Sequence, residues 1–333
     1  MGDRLRFREN VYVNGVYSVG SKMENQGPIG PLLSAAVDND MFGEKTFEQA
    51  ERKFFITAAK GAANDAGVDE KEVDLLVGGD LLDQIISAGY GARELGIPFL
   101  GIYGACSSMA EGLLISAMAV NGCHGRNAVC ATASSFGAAE RQFRFPLELG
   151  TPRTPTAQHT VTGAAACFLT REKKGAYAQV AGGMIGKVVD MGVTDANNMG
   201  AAMAGAALQT IADYLEAADE RPDDFDAIIT GDLGTFGSEL LIDMGKRCGI
   251  GLSGVHKDCG CIIYEGLDNV QCGGSGCACG GTVLCAKYIP MLMKGKIRRI
   301  MFVATGALLS PVIINQGESI PSIAHAVILE GVE

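Results

Sequence analysis

Val73-Asp74-Leu75-Leu76-Val77-Gly78-Gly79-Asp80-Leu81 returns later in the chain as Phe225-Asp226-Ala227-Ile228-Ile229-Thr230-Gly231-Asp232-Leu233. Both are apolar runs that end in Gly-Asp-Leu, and each follows an amphipathic stretch, residues 47–66 and 203–218. Downstream, Gly104-Ala105-Cys106 opens an Ala/Leu/Ile/Met-rich stretch to residue 121, and Gly276-Cys277-Ala278 opens a similar one to residue 294. Apolar runs 128–133 and 300–306 follow these, and 166–169 and 326–329 close the two series. The same order of helix, strand, helix, strand-turn-helix, strand and strand thus occurs twice, the pattern of an internal duplication. Short apolar strands alternating with helices predict sheets covered by helices. The expected fold is α/β, with two similar halves, 1–172 and 173–333, about a pseudo-twofold axis.

Composition agrees with a large buried core. Of 333 residues, 47 % are hydrophobic and 20 % charged, with 46 glycines and no Trp, so Ala, Val, Ile, Leu and Met must build the interior. A net charge of −11 without a basic stripe argues against nucleic acid. Residues 1–10 carry charge and no apolar run, so no signal peptide is expected. The longest apolar stretch, 300–314, is broken by Gly306 and Pro311 and falls short of a membrane span, so membrane association is expected only through a partner. Eleven cysteines without a secretory signal read as free thiols, each buried by default.

The strongest local signal is Phe99-Leu100-Gly101-Ile102-Tyr103-Gly104-Ala105-Cys106-Ser107-Ser108. A strand turns through Gly-Ala and places Cys106 where a helix starts, beside unpaired N–H groups and the positive dipole end. That position would lower a thiol pKa and suit a thiolate or a bound anion; the alternative is a small residue at a tight junction. Gly273-Gly274-Ser275-Gly276-Cys277 is its counterpart in the second series, and two helix starts converging on one hollow would favour a dicarboxylate. In His256-Lys257-Asp258-Cys259, His256 and Asp258 would share one face of a strand. His256 is there either a donor to a carboxylate or a solvated loop residue. The cysteines from 259 to 285 lack the spacing of a zinc site, and no metal or cofactor is expected. His124 reads as an exposed loop residue, His159 as following a surface loop (151–158) near the cavity, and His325 as a packed or hydrogen-bonded residue beginning the last strand. Arg141 and Arg144 are carboxylate clamps or a salt-bridged face.

These residues carry a resemblance. The duplicated halves and the Gly-Ala-Cys-Ser elbow resemble the thiolase and ketoacyl-synthase superfamily. More narrowly, the chain resembles the stage V sporulation protein AD family, through 79–82, 99–107, 139–144, 160–163, 230–233, 256–260, 273–279 and 303–311. The resemblance implies a thiolase-like fold and a forespore or spore protein, peripheral at the inner membrane through proteins of a channel complex. It implies binding of dipicolinic acid (pyridine-2,6-dicarboxylate), with or without calcium, for uptake into the spore and release at germination. Two departures from the catalytic superfamily matter. Asp232 stands where condensing synthases place a histidine, and 273–275 stand where they place asparagine or a second histidine. A pseudoenzyme is therefore expected, with Cys106, Ser107, Asp232, His256, Cys259, Ser275 and Cys277 around the ligand. The alternative is an acyl-transferring or condensing enzyme with Cys106 as nucleophile. A homodimer is expected to pair through the 128–133 strand.

Overall fold

The computed structural model describes residues 4–144 and 153–332. In chain order the main elements are strand β1 (Val11–Gly20), helix α1 (Phe47–Asp65), β2 (Leu76–Gly79), α2 (Ile86–Leu95), β3 (Phe99–Gly101), α3 (Ser108–Asn121), β4 (Asn127–Ser134), α4 (Phe136–Phe143) and β5 (Gly163–Thr170). The second series runs β6 (Ala178–Met184), α5 (Met199–Ala218), β7 (Ala227–Thr230), α6 (Gly234–Arg247), β8 (His256–Asp258), α7 (Cys277–Val283), β9 (Arg299–Ala307) and β10 (Pro321–Glu330).

These ten strands lie in the order β8-β7-β9-β10-β6-β1-β5-β4-β2-β3. The first five occupy one side and the second five the other in mirrored sequence, joined where β1 pairs antiparallel with β6 from Val11↔Val180 to Val13↔Ala178. Within each side the βαβ crossovers make parallel pairs (β2 with β3 and β4; β7 with β8 and β9). The antiparallel β4–β5 and β9–β10 pairs complete them.

Alternation along each strand decides the layering. Cys130, Ile229 and Phe302 face a central core with Met109, Leu113 and Leu114 of α3 and Ala278 and Val283 of α7. Their neighbours face outward: Val129 and Ala131 meet Phe54, Phe55 and the alanines of α1, while Ile228, Met301 and Val303 meet α5 and α6. Both faces of the inner strands are covered, which is why those strands read as continuous apolar runs, whereas the edge strands β3 and β8 keep exposed positions. Helices α1 and α5 bury alanine-rich faces, so their backbones approach the sheet closely. α1 starts on Thr46, whose side chain accepts from the Gln49 N–H at 3.2 Å.

One expectation is corrected. The 128–133 strand lies inside β4, which is hydrogen-bonded to β2 on one side and β5 on the other. It has no free edge through which a second copy could pair. The ends of the ten-strand order are β3 and β8.

Candidate functional site

The elbow after β3 is built by backbone geometry. Ala105 adopts φ 50°, a left-handed conformation that a residue with a Cβ enters only at a cost. A single turn, Ala105–Ser107, then feeds α3. Cys106 emerges half-buried in the wall of a cavity of about 600 Å³. Ser107 is fully buried; its hydroxyl (2.6 Å) and its N–H (3.1 Å) both donate to the Gly104 carbonyl. Ser107 was expected around the ligand, but its N–H is already spent within the turn.

The second helix start abuts the first. Gly276, at φ 107°, turns the chain into α7, and fully buried Cys277 donates its thiol to the Ala105 carbonyl at 3.0 Å. The Gly276 N–H is taken by Asp232 Oδ2 at 3.0 Å, and the Ala278 N–H by the Ser134 hydroxyl at 3.2 Å. Asp232 Oδ1 accepts from the Thr305 hydroxyl at 2.8 Å. A carboxylate of the protein itself thus occupies a donor at the second helix start, where a ligand carboxylate was expected to be favoured. Burial pushes the Asp232 pKa up to about 7, against hydrogen bonds from Cys106, Thr305 and Gly276 that act to lower it.

The Cys106 thiol is pushed well above its ordinary value, first by burial and then by the Asp232 carboxyl beside it. The expected lowering at a helix start is corrected: burial and the Asp232 carboxyl raise the thiol pKa against a backbone hydrogen bond at Gly276 that acts to lower it. Cys277 behaves alike, pushed up by burial and then by Asp80 and Glu51. Each Gly-Asp-Leu aspartate therefore acts on the cysteine at the opposite repeat's helix start.

His256 and Asp258 do share a face of β8, but neither lines the cavity. His256 Nε2 meets the Thr230 hydroxyl at 2.8 Å, and that hydroxyl donates to Asp258 Oδ2 at 2.7 Å. Asp258 also accepts from the N–H groups of Leu233 (2.8 Å), Gly234 (3.0 Å) and Cys261 (3.0 Å), fixing two helix starts. Burial pushes the His256 pKa down to about 4, so the ring is neutral near pH 7. Cys259 lies in the central core with no exposure. Of the seven expected residues, Cys106 and Ser275 line the cavity; Ser107, Asp232 and Cys277 stand behind its base; His256 and Cys259 belong to other environments.

Residues that sequence reasoning left out of the site also line the wall, among them Tyr103, Glu140 and Phe143, Thr160, Met199, and the 307–312 segment after β9. Arg141 pairs with Glu48 at a half-exposed position, whereas Arg144 lines the cavity and pairs with Glu140 one helical turn back. The Glu140/Arg144 spacing of four on one helix was the available signal. His159 stacks on Phe136 with ring centroids 4.2 Å apart, and burial, then Arg153 and Arg144, push its pKa down to about 3. Of the loop expected before it, residues 151 and 152 lie outside the described residues. His124 is exposed, and His325 Nδ1 accepts from the Gly186 N–H at 3.2 Å in the middle of β10. Among the described residues, no group of three or more His, Cys, Asp or Glu side chains could hold a metal ion, and no helix is long and apolar enough to cross a membrane.

Comparison with known proteins places this architecture. The family model of stage V sporulation protein AD matches residues 2–330. The chain is 40 % identical over 324 residues to stage V sporulation protein AD of Bacillus subtilis (strain 168), covering 97 % of this chain and 95 % of that one. Among solved structures it is similar to acetyl-CoA acetyltransferase from Syntrophomonas wolfei (TM-score 0.64, 13 % identity, 98 % of this chain and 100 % of that one). It is similar also to human mitochondrial 3-ketoacyl-CoA thiolase (0.62, 14 %, 98 % and 99 %) and to 3-oxoacyl-[acyl-carrier-protein] synthase III from Aquifex aeolicus VF5 (0.60, 15 %, 96 % and 99 %). At such identities the likeness concerns fold alone, and that fold is thiolase-like.

Proposed function

This chain belongs to the stage V sporulation protein AD family, and we propose that it serves sporulation as a non-catalytic binder of dipicolinic acid, free or as the calcium chelate. In this reading it hands the ligand to membrane partners of a spore channel complex for uptake and for release at germination. It would sit peripherally at the inner membrane, and a homodimer would pair through the free edge of β3 rather than through β4.

The observation that carries the reading is the Cys106–Asp232 pair at the base of a roomy, largely apolar cavity. A condensing enzyme needs a reactive thiolate and donors aimed at a developing oxyanion. Here the thiol is held protonated, and the Gly276 N–H already serves Asp232, whose carboxylate would oppose such an oxyanion. Losing the chemistry leaves the hollow intact, and its volume is within the range of small-molecule sites. Phe143, Met199 and the 308–311 segment offer apolar walls to a flat ring, with Ser275 and Thr160 as polar contacts.

Titration calorimetry of the whole chain with dipicolinate, with and without calcium, is expected to give saturable binding. Ser275→Ala should weaken it about fivefold, the loss of one hydrogen bond worth about 1 kcal/mol. Incubation with acetyl-CoA should leave Cys106 unmodified by mass spectrometry. Absence of heat with every form of the ligand would end the binding reading, and an acyl adduct on Cys106 would establish the enzyme reading in its place.

A further inference from the structure

The cavity has one corner whose charge does not cancel. Arg144, at the end of α4, has a side chain only 10 % exposed and lines the wall; Glu140 beside it is 9 % exposed and also on the wall. A second guanidinium, Arg153, reaches the same carboxylate, its Nη2 2.7 Å from Glu140 Oε1. Two cations on one anion leave one positive charge over. Both guanidiniums also point a nitrogen at the Gln158 carbonyl, Arg153 at 2.8 Å and Arg144 at 3.4 Å, which holds them side by side. Arg153 lies over the Phe136 ring at 4.7 Å, and His159 stacks on that ring. The neutral state of His159 adds no charge and accords with a positive field at this corner. The one further charged residue on the described wall, Asp83, is exposed to solvent.

Within a chain of net charge −11, a nearly buried surplus cation is costly unless something answers it. Of the five N–H donors of Arg144, those on Nη1 serve Glu140 and Gln158, while Nε and Nη2 bond to no described residue. A planar carboxylate is the group that matches such a fork.

We propose that Arg144, backed by Arg153 and Glu140, is the carboxylate-recognition corner of this cavity, so that the cavity takes planar organic acids and refuses uncharged analogues. The inference rests on the cavity being a ligand site. Glu140 then works as a built-in counter-anion that bridges the two guanidiniums through one oxygen and reduces their charge to a single unit. The apolar walls take the ring, and the corner takes the acid.

The experiment is calorimetry with three ligands sharing one ring: dipicolinate, picolinate and pyridine-2,6-dimethanol. Wild type is expected to bind both acids and to bind the diol at least about tenfold more weakly, the worth of one charge-assisted contact. Arg144→Gln should weaken both acids about tenfold or more, and Arg144→Lys, which keeps the charge and loses the fork, by roughly half that on a logarithmic scale. Glu140→Gln, which raises the corner's surplus charge, should tighten dipicolinate several-fold. Folding of each variant is checked by thermal melting, and if Arg144→Gln does not fold, the other two variants decide. Acid binding within twofold of wild type in all folded variants, or diol binding as tight as the acids, overturns the corner while leaving the cavity reading in place. Binding of none of the three ligands by wild type overturns both.

Discussion

Gly306→Ala is expected to lower stability by about 3 kcal/mol or more and, on the proposed function, to abolish dipicolinate binding with it. Gly306 lies in β9, pressed against the elbow from the second repeat's side. A Cβ there would stand 2.4 Å from the Gly104 carbonyl oxygen, 3.1 Å from the Ser107 N and 3.3 Å from the Ser107 Cβ. The nearest obstacle is backbone, which has no rotamer with which to step aside. β9 cannot retreat either, since it is paired along its length with β10 and also with β7. The strain must fall on the turn through Ala105, which already holds a left-handed conformation, and Cys106 moves with it. Chemical denaturation and calorimetry on the same preparation read both effects. A variant within about 1 kcal/mol of wild type that still binds would mean the elbow is not backed as described.

The second large effect concerns Asp232. Its folded pKa of about 7 lies above the ordinary 3.8. Below the ordinary value, both folded and unfolded chains carry the proton and nothing is lost. As pH rises from there through 7, the unfolded chain ionises while the folded chain keeps its proton, so stability falls; above 7 the loss is complete. Asp232→Asn has the same shape and no such loss. Its stability relative to wild type should therefore climb between pH 4 and pH 7, by up to about 4 kcal/mol, and then level off. The same substitution removes the charge facing Cys106, so alkylation of that thiol by iodoacetamide at pH 8.5 should quicken on the order of tenfold, read peptide by peptide. A flat stability difference across this range, with an unchanged alkylation rate, would remove Asp232 from its place as the group that quiets the thiol.

What could be read without coordinates was periodic or local. The repeated Gly-Asp-Leu runs locate β2 and β7, and the Gly-Ala-Cys turn locates the elbow, because strand and turn preferences are written in neighbouring residues. What could not be read depends on which distant group arrives first. His256 looked available until Thr230, from the adjacent strand, met its ring. The Gly276 N–H looked open until Asp232 took it, across 44 positions of chain. Cys259 and Cys277 looked alike in sequence, yet one faces the central core and the other the elbow carbonyl. The 128–133 run is apolar on both faces. A strand without one polar face is shielded on both sides, and β4 is also paired on both edges. Arg144 shows the reverse case, since its partner was four residues away and only the cavity beside it was invisible.

The exchanged aspartates have a consequence for how this molecule can be taken apart. A nick in the turn between Thr170 and Ala178 would leave one fragment holding a thiol whose quieting acid is on the other, and an acid whose sulfur has likewise departed. Neither fragment is then a portable unit. Grafting or shuffling either repeat among relatives must transfer both members of each crossed couple, and drift at one aspartate is answerable only by change in its opposite number's territory.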